Sequence, residues 1–237
     1  MSSDPKASKA TRRTFVFRLP TLTVVLAALK PAFSYALSPP NRLDVSAPRF
    51  FTADERAFVT AAVDRLLPAD ELGPGGVAAD VPRFIDFQLA GSWGHGYDRY
   101  VSGPVKDGPP AQGNQAITSR AALYRTSIAA LRTLPAGRNF VNANAEGRDA
   151  FLKSLQQGEH EGDQMQGMKF FAALLEDSVS GFRADPSYGG NVSFVGWKLI
   201  GYPGVRYDWT PYLQNDGRPL DMAVIGTFGP VDSYGLE

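Results

Sequence analysis

In "FTADERAFVTAAVDRLLPADE" the apolar side chains Phe58, Ala62 and Leu66 recur at four-residue intervals, with Val59 and Val63 beside them. That spacing predicts an amphipathic helix. Thr52, with Glu55 three residues on, forms a capping box at its start, and Pro68 stops it. "DVPRFIDFQLAG" predicts a second helix, with Asp80 as N-cap, Pro82 in the first turn and Gly91 at the end. A third follows in "TSRAALYRTSIAALRTL", where Leu123, Ile128, Leu131 and Leu134 are nearly in phase, and a shorter one in "AEGRDAFLKSLQQG". "DQMQGMKFFAALLEDSVSGFRADP" carries the strongest helical pattern, with Met168, Phe171, Leu174, Leu175, Val179 and Phe182 on one face. Strand-type alternation is rare. The pattern therefore predicts a mainly α fold: a single helical domain with long ordered loops rich in Gly, Pro and aromatic residues.

The segments between these helices differ in character. "ELGPGGVAA" is a turn-rich link. "GSWGHGYDRYVSGPVKDGPPAQGNQA" is a long connection whose Trp93, Tyr97 and Tyr100 are expected to pack on the core. After Gly204, Pro211, Pro219 and Pro230 interrupt a stretch with few helix formers, which reads as an extended C-terminal tail over 206–237. At the other end, "SKATRRTFVFRLPTLTVVLAALKPAFSYALS" passes from basic to apolar to small residues, the three-part plan of an export signal. Arg12 and Arg13, followed by Thr14 and Phe15, resemble the twin-arginine signal of bacteria. Arg18 and Pro20 break the apolar run, so it makes a poor membrane span. The expected organisation is a signal over 1–36, a tether over 37–50, a helical domain over 51–205 and the tail.

Composition narrows the function classes. The chain has 237 residues, 43% of them hydrophobic and 20% charged, with a formal net charge of zero. A globular core is within reach. The signal would take six of the 24 basic and one of the 24 acidic residues, leaving 18 and 23, a net of −5. A mildly acidic protein is a poor match for nucleic acid. With no cysteine, disulfides, thiolate metal sites, a cysteine nucleophile and a covalent c-type haem are excluded on this chain.

Few stretches carry candidate chemistry. "GPGGVA" over 73–78 matches G-x-G-x-x-A, but a helix and Pro68 precede it where a dinucleotide site needs a strand. His160 sits among Glu159, Glu161 and Asp163 without the alternating spacing of a calcium loop. His95, between glycines and near Asp98, is the one candidate for a general base. It supports an alternative reading: a stand-alone secreted enzyme or ligand-binding protein with a closed pocket near His95. No nucleophile elbow and no P-loop occur.

"DPSYGGNVSFVGWKLIGYPG", over 185–204, stands apart. Gly189, Gly190 and Asn191 permit a sharp turn after Tyr188. Trp197 and Tyr202 join large apolar faces to polar tips, the combination favoured at interface anchors. Two readings stay open for it: a loop packed on its own helices, or a surface for a partner.

The run "SYGGNVSFVGWKLIGYPG" closely resembles the C-terminal signature of the gluconate 2-dehydrogenase subunit 3 family, and "FFTADERAFVTAAVDRLLPAD" and "VAADVPRFIDFQLAG" agree with its N-terminal portion. The resemblance covers roughly 45–205. It implies a non-catalytic small subunit of a periplasmic, membrane-associated sugar or polyol dehydrogenase. In that family the partner is a large glucose–methanol–choline-type flavoprotein holding FAD. A multihaem cytochrome c subunit often completes the complex. The resemblance thus places no cofactor on this chain. It gives Arg12 and Arg13 the task of taking the folded pair to the twin-arginine translocase. Tyr188, Gly189, Gly190, Asn191, Trp197 and Tyr202 become the candidate partner contacts.

Overall fold

The computed structural model describes residues 48–97, 99, 108–109, 111, 118–160, 166–214, 217–218 and 222–234. The export-signal segment with Arg12 and Arg13, and also Asp98, Tyr100, Glu161 and Asp163, lie outside these residues. All described residues belong to one unit, Val45–Glu237. Its helices are α1 (Ala53–Leu66), α2 (Gly75–Ala78), α3 (Val81–Ala90), α4 (Ser92–His95), α5 (Arg120–Leu131), α6 (Pro135–Asn139), α7 (Ala145–Gln156), α8 (Gly167–Arg183) and α9 (Val195–Leu199). Short 3-10 turns join several of them, and the described residues contain isolated bridges but no strand. The fold is mainly helical, as the periodicity predicts.

α8 is the hub: it packs on α1, α3, α5, α7 and α9. The core between these helices holds Phe58, Tyr124, Phe140, Phe170, Leu131, Leu155 and Leu174, all at most 1% exposed. Each such side chain contributes about 1.5–3 kcal/mol on leaving water. Close ring contacts run through the core, such as Phe58 on Phe140 at 4.7 Å and Tyr124 edge-on to Phe170 at 5.3 Å.

α1 begins with the predicted capping box. Thr52 Oγ1 accepts from the Glu55 amide, and the Glu55 carboxylate accepts from the Thr52 amide at 2.8 Å. Glu55 also receives the Arg125 guanidinium. Burial alone would raise the Glu55 pKa, but the Thr52 amide and Arg125 outweigh it and hold the group below its ordinary value. Ahead of α1, the fully buried Asp86 of α3 accepts from three backbone amides, those of Arg49 at 2.6 Å, Phe50 at 3.0 Å and Phe51 at 2.8 Å. One carboxylate thus fixes the backbone just ahead of α1.

Three local expectations need correction. Asp80 does occupy the N-cap position of α3, but its φ is +53° and its side chain makes no capping bond. It pairs instead with Arg83 at 3.2 Å. On α8 the buried face is Phe170, Ala173, Leu174, Asp177, Ser178 and Gly181, while Met168 is 49% and Leu175 38% exposed. Small residues there let neighbours come close, and Gly181 lies against Phe84. Asp177 can face inward because Arg120 and Tyr124 satisfy it. Finally, Trp93 and Tyr97 do not pack into the core but are 48% and 79% exposed. Residues 92–95 form α4, folded so tightly on α3 that a Cβ on Gly94 would lie 2.3 Å from the Leu89 carbonyl oxygen.

Candidate partner interface

α8 ends at Arg183, and the chain then makes its sharpest turns. Asp185 accepts from the Ser187 amide and opens a 3-10 turn over Pro186–Tyr188. Gly189 follows with φ +101° and its carbonyl accepts from Arg83 Nε at 2.8 Å. Gly190 runs so close to α8 that a Cβ would sit 2.5 Å from the Gly181 carbonyl oxygen. Asn191, Ser193 and Phe194 all have positive φ near +50 to +60°. Three non-glycine residues in the left-handed region within four positions represent stored strain, and the surroundings must hold them there.

Asn191 is what holds them. It is fully buried, its Nδ2 donates to the Ala184 carbonyl at 2.8 Å, and its Oδ1 accepts from the Gly196 amide at 2.7 Å. Asn tolerates left-handed backbone better than most residues, and here it also staples both ends of the turn. The Val192 amide donates to the Ala79 carbonyl at 3.2 Å, which ties the turn to the start of α3. Gly196 then passes Phe182 with no room for any side chain: a Cβ would stand 1.8 Å from the Phe182 carbonyl oxygen.

This geometry turns Trp197 inward. It is 5% exposed, its Nε1 donates to the Arg183 carbonyl at 2.7 Å, and its ring stacks on Phe194 at 5.3 Å and 6°. Tyr202 meets the same indole edge-on at 5.0 Å. The candidate contacts therefore divide. Gly189, Gly190, Asn191 and Trp197 are buried in the chain's own architecture, while Tyr188 is 58% and Tyr202 40% exposed. Exposed apolar side chains continue beyond them in Leu199, Ile200, Tyr207, Trp209, Leu213 and Phe228. Sequence reasoning did not single these out, since they lie where the chain loses helical period. Arg83 was missed too. It is 7% exposed, Nη2 finds no acceptor among the described residues, and burial lowers its pKa. The signal was available: Arg83 and Asp86 are the two charged residues, spaced three apart, in a helix that is otherwise apolar but for Gln88.

The segment after Gly204 returns to this turn. Gly204 and Ile225 form a parallel bridge. Asp185 accepts from the Thr227 amide at 2.8 Å, from Thr227 Oγ1 at 3.0 Å and from the Tyr234 hydroxyl at 3.1 Å. Tyr234 also packs edge-on to Phe194 at 5.8 Å.

Among the described residues, the histidine sites assemble no comparable constellation. His95 is exposed and stacks on exposed Tyr97 at 5.4 Å. A cleft of about 530 Å3 lies beside it, lined by Trp93, Gly96, Arg120, Lys169 and Glu176 among others, but not by His95. Arg120 at its wall is bound to Asp177 and Glu176, each at 2.7 Å. Burial pushes the Asp177 carboxyl up against the pull of Arg120 and Tyr124, and it pushes the Tyr124 hydroxyl well above its ordinary value. These three form a structural knot between α5 and α8. His160 Nε2 lies 3.0 Å from Ser154 Oγ. Among the described residues no group of three or more His, Asp or Glu side chains could hold a metal ion. Two glycines of "GPGGVA" serve the turn and its packing: Gly75 has φ +75° and Gly76 would clash with Val63 and Leu67 if it carried a Cβ.

Among comparisons with known proteins, residues 53–204 match the family model described as Gluconate 2-dehydrogenase subunit 3. No curated protein and no solved structure matches the chain.

Proposed function

The chain belongs to the gluconate 2-dehydrogenase subunit 3 family, and on that premise we propose that it escorts and stabilises an FAD-dependent dehydrogenase subunit without doing chemistry itself. The observation that carries this reading is the family match, which spans α1 through the 185–204 turn. The partner is a large flavoprotein of the glucose–methanol–choline type that oxidises a sugar or polyol, and a multihaem cytochrome c subunit is the natural electron acceptor. The pair works in the periplasm at the cytoplasmic membrane. Arg12 and Arg13 direct it to the twin-arginine translocase, a route suited to a flavoprotein that must fold to keep its FAD.

The surface supports the same reading. Tyr188 and Tyr202 flank a rigid turn, and a run of exposed apolar residues extends from Leu199 to Phe228. Apolar side chains gathered along one stretch mark an interaction site more often than an ordinary surface. An obligate contact of this kind buries on the order of 2,000 Å2 or more in total.

Co-expression tests the proposal. With the native chain, the dehydrogenase subunit reaches the periplasm active and FAD-loaded. With Arg12→Lys and Arg13→Lys together, both subunits stay in the cytoplasm. Export of an active, soluble dehydrogenase subunit in the absence of this chain sinks the escort role. The alternative, a stand-alone protein acting through His95, requires the isolated chain to bind or turn over a small molecule in a His95-dependent way.

A further inference from the structure

Residues beyond Gly204 lie outside the family match, yet they make some of the most specific contacts in the molecule. The Val205 amide donates to the Ile225 carbonyl at 2.9 Å, and the Ile225 amide to the Pro203 carbonyl at 3.3 Å. These bonds close the base of a loop running from 205 to 224. Arg206 reinforces the base by donating to the carbonyls of Val205 and Ala223. Next along the chain, Gly226 bridges to Gly229, and Thr227 and Tyr234 both converge on Asp185. The fit leaves no slack: a Cβ on Gly226 would lie 1.9 Å from the Tyr234 hydroxyl oxygen, and one on Gly204 would lie 1.8 Å from the Ile225 carbonyl oxygen. The Tyr234 hydroxyl also accepts from the Phe228 amide at 3.1 Å.

The first half of the loop so closed carries Tyr207 at 95% exposure, Trp209 at 40%, Tyr212 at 37% and Leu213 at 75%. Its charges are satisfied within it. Arg206 is turned back to the base, and Asp208 accepts from the Thr210 amide at 2.8 Å. The outward face of 207–213 is therefore aromatic and aliphatic around the exposed Asp208 carboxylate and carries no cation. A lipid surface bearing anionic headgroups is bound through lysine and arginine beside the aromatics. A cation-free face of aromatic and aliphatic side chains, closed at its base by backbone bonds, suits a protein–protein contact in which the exposed Asp208 lies at the rim.

We propose that residues 225–234 are a latch that fastens on Asp185 and thereby presents Tyr207, Trp209, Tyr212 and Leu213 to the dehydrogenase subunit. The identity of that partner rests on the function proposed above; the latch rests on the geometry alone. The latch holds the base of the excursion and so presents residues 207–213 in a set position. Without it the loop must be ordered at the moment of association, and affinity falls by the cost of that ordering.

Hydrogen exchange on the full chain, alone and with the dehydrogenase subunit, decides both halves. In Asp185→Asn the amides of Val205, Ile225 and Thr227 exchange about tenfold faster or more, as expected for loss of a charge-assisted bond, while α5 and α8 are unchanged. Tyr234→Phe, which keeps the ring on Phe194, reports the same change in milder form and serves should Asp185→Asn unfold the turn. Both variants bind the dehydrogenase subunit about tenfold more weakly. The pair Tyr207→Ser and Trp209→Ser weakens binding with no change in exchange. Unchanged exchange in both latch variants overturns the latch. Faster exchange with undiminished partner affinity overturns its role in presentation. Native chain held by vesicles of anionic phospholipid, and released by Trp209→Ser, overturns the choice of a protein partner. If the native chain does not bind the dehydrogenase subunit at all, the proposed function and the docking half fail together, and the exchange result still decides the latch.

Discussion

At the level of single residues, the turn after α8 shows why a chain keeps a costly backbone. Asn191, Ser193 and Phe194 sit in the left-handed region, and the two side-chain bonds of Asn191 compensate them. Asn191→Ala removes both bonds and leaves the Gly196 amide and the Ala184 carbonyl unpaired, so it destabilises the fold by about 3 kcal/mol. Urea unfolding measures this directly. Gly196→Ala drives a methyl group into the Phe182 carbonyl, 1.8 Å from where Cβ must lie. Its expected cost is about 3 kcal/mol or more. Trp197→Phe is milder, because it keeps the stack on Phe194 and loses the bond to the Arg183 carbonyl. That loss is worth about 1 kcal/mol. The ordering of the three variants is the firm prediction: a Trp197→Phe chain less stable than Gly196→Ala contradicts this account of the turn.

Single elements respond to pH through the Asp185 latch. Burial raises the Asp185 pKa, but the amides and hydroxyls of Ser187 and Thr227 more than offset it, so the group lies below its ordinary 3.8. A depressed carboxyl contributes stability that is present above the unfolded pKa and lost as pH falls through the folded one. On the acid side, latching therefore weakens as pH falls below about 3.8. Tyr234 is pushed up to about 12 from 10, first by burial and then by the Asp185 charge, partly opposed by the Phe228 amide. The phenol contributes fully below pH 10 and loses its contribution as pH rises towards 12. The urea midpoints of native chain and Tyr234→Phe should differ below pH 10 and draw together as pH rises towards 12. Helix positions were the most legible part of the sequence, because α1, α3, α5, α7 and α8 each bury an apolar stripe and several carry capping residues. The rotation of α8 was not legible. A stripe counted from large apolar residues points at Met168 and Leu175, whereas packing selected Ala173, Ser178 and Gly181, where small size lets helices approach. Nor was the role of Asp185, since a carboxylate that binds amides 42 residues away leaves no local pattern.

For the whole molecule, the segment from 185 to 204 now has a divided reading. Gly189, Gly190, Gly196, Asn191 and Trp197 build a base inside the chain, while Tyr188, Tyr202 and the apolar residues beyond them stay exposed and are the contact surface of the proposed function. Sequence alone showed that the segment was unusual, but inward and outward aromatics look alike until burial separates Trp197 from Tyr202. The isolated chain, with Leu199, Ile200, Tyr207 and Leu213 exposed, is expected to self-associate. Replacing Tyr207 and Leu213 with Ser should shift light scattering towards monomer and leave the melting temperature within a few degrees, since neither side chain is in the core. Unchanged association in that variant means the sticky face lies elsewhere. The anchoring of residues 49–51 has a mechanical consequence as well. Among the described residues, the backbone ahead of α1 is anchored through the amides of Arg49, Phe50 and Phe51, which all hang on the one Asp86 carboxylate. A load on them is shared among three bonds and delivered to the middle of α3. Three residues earlier on that helix, Arg83 grips the Gly189 carbonyl. Tension on residues 49–51 is thus carried by a short path through α3 to the turn after α8, so a pull at this point loads the interior of the fold and does not peel α1 from its end.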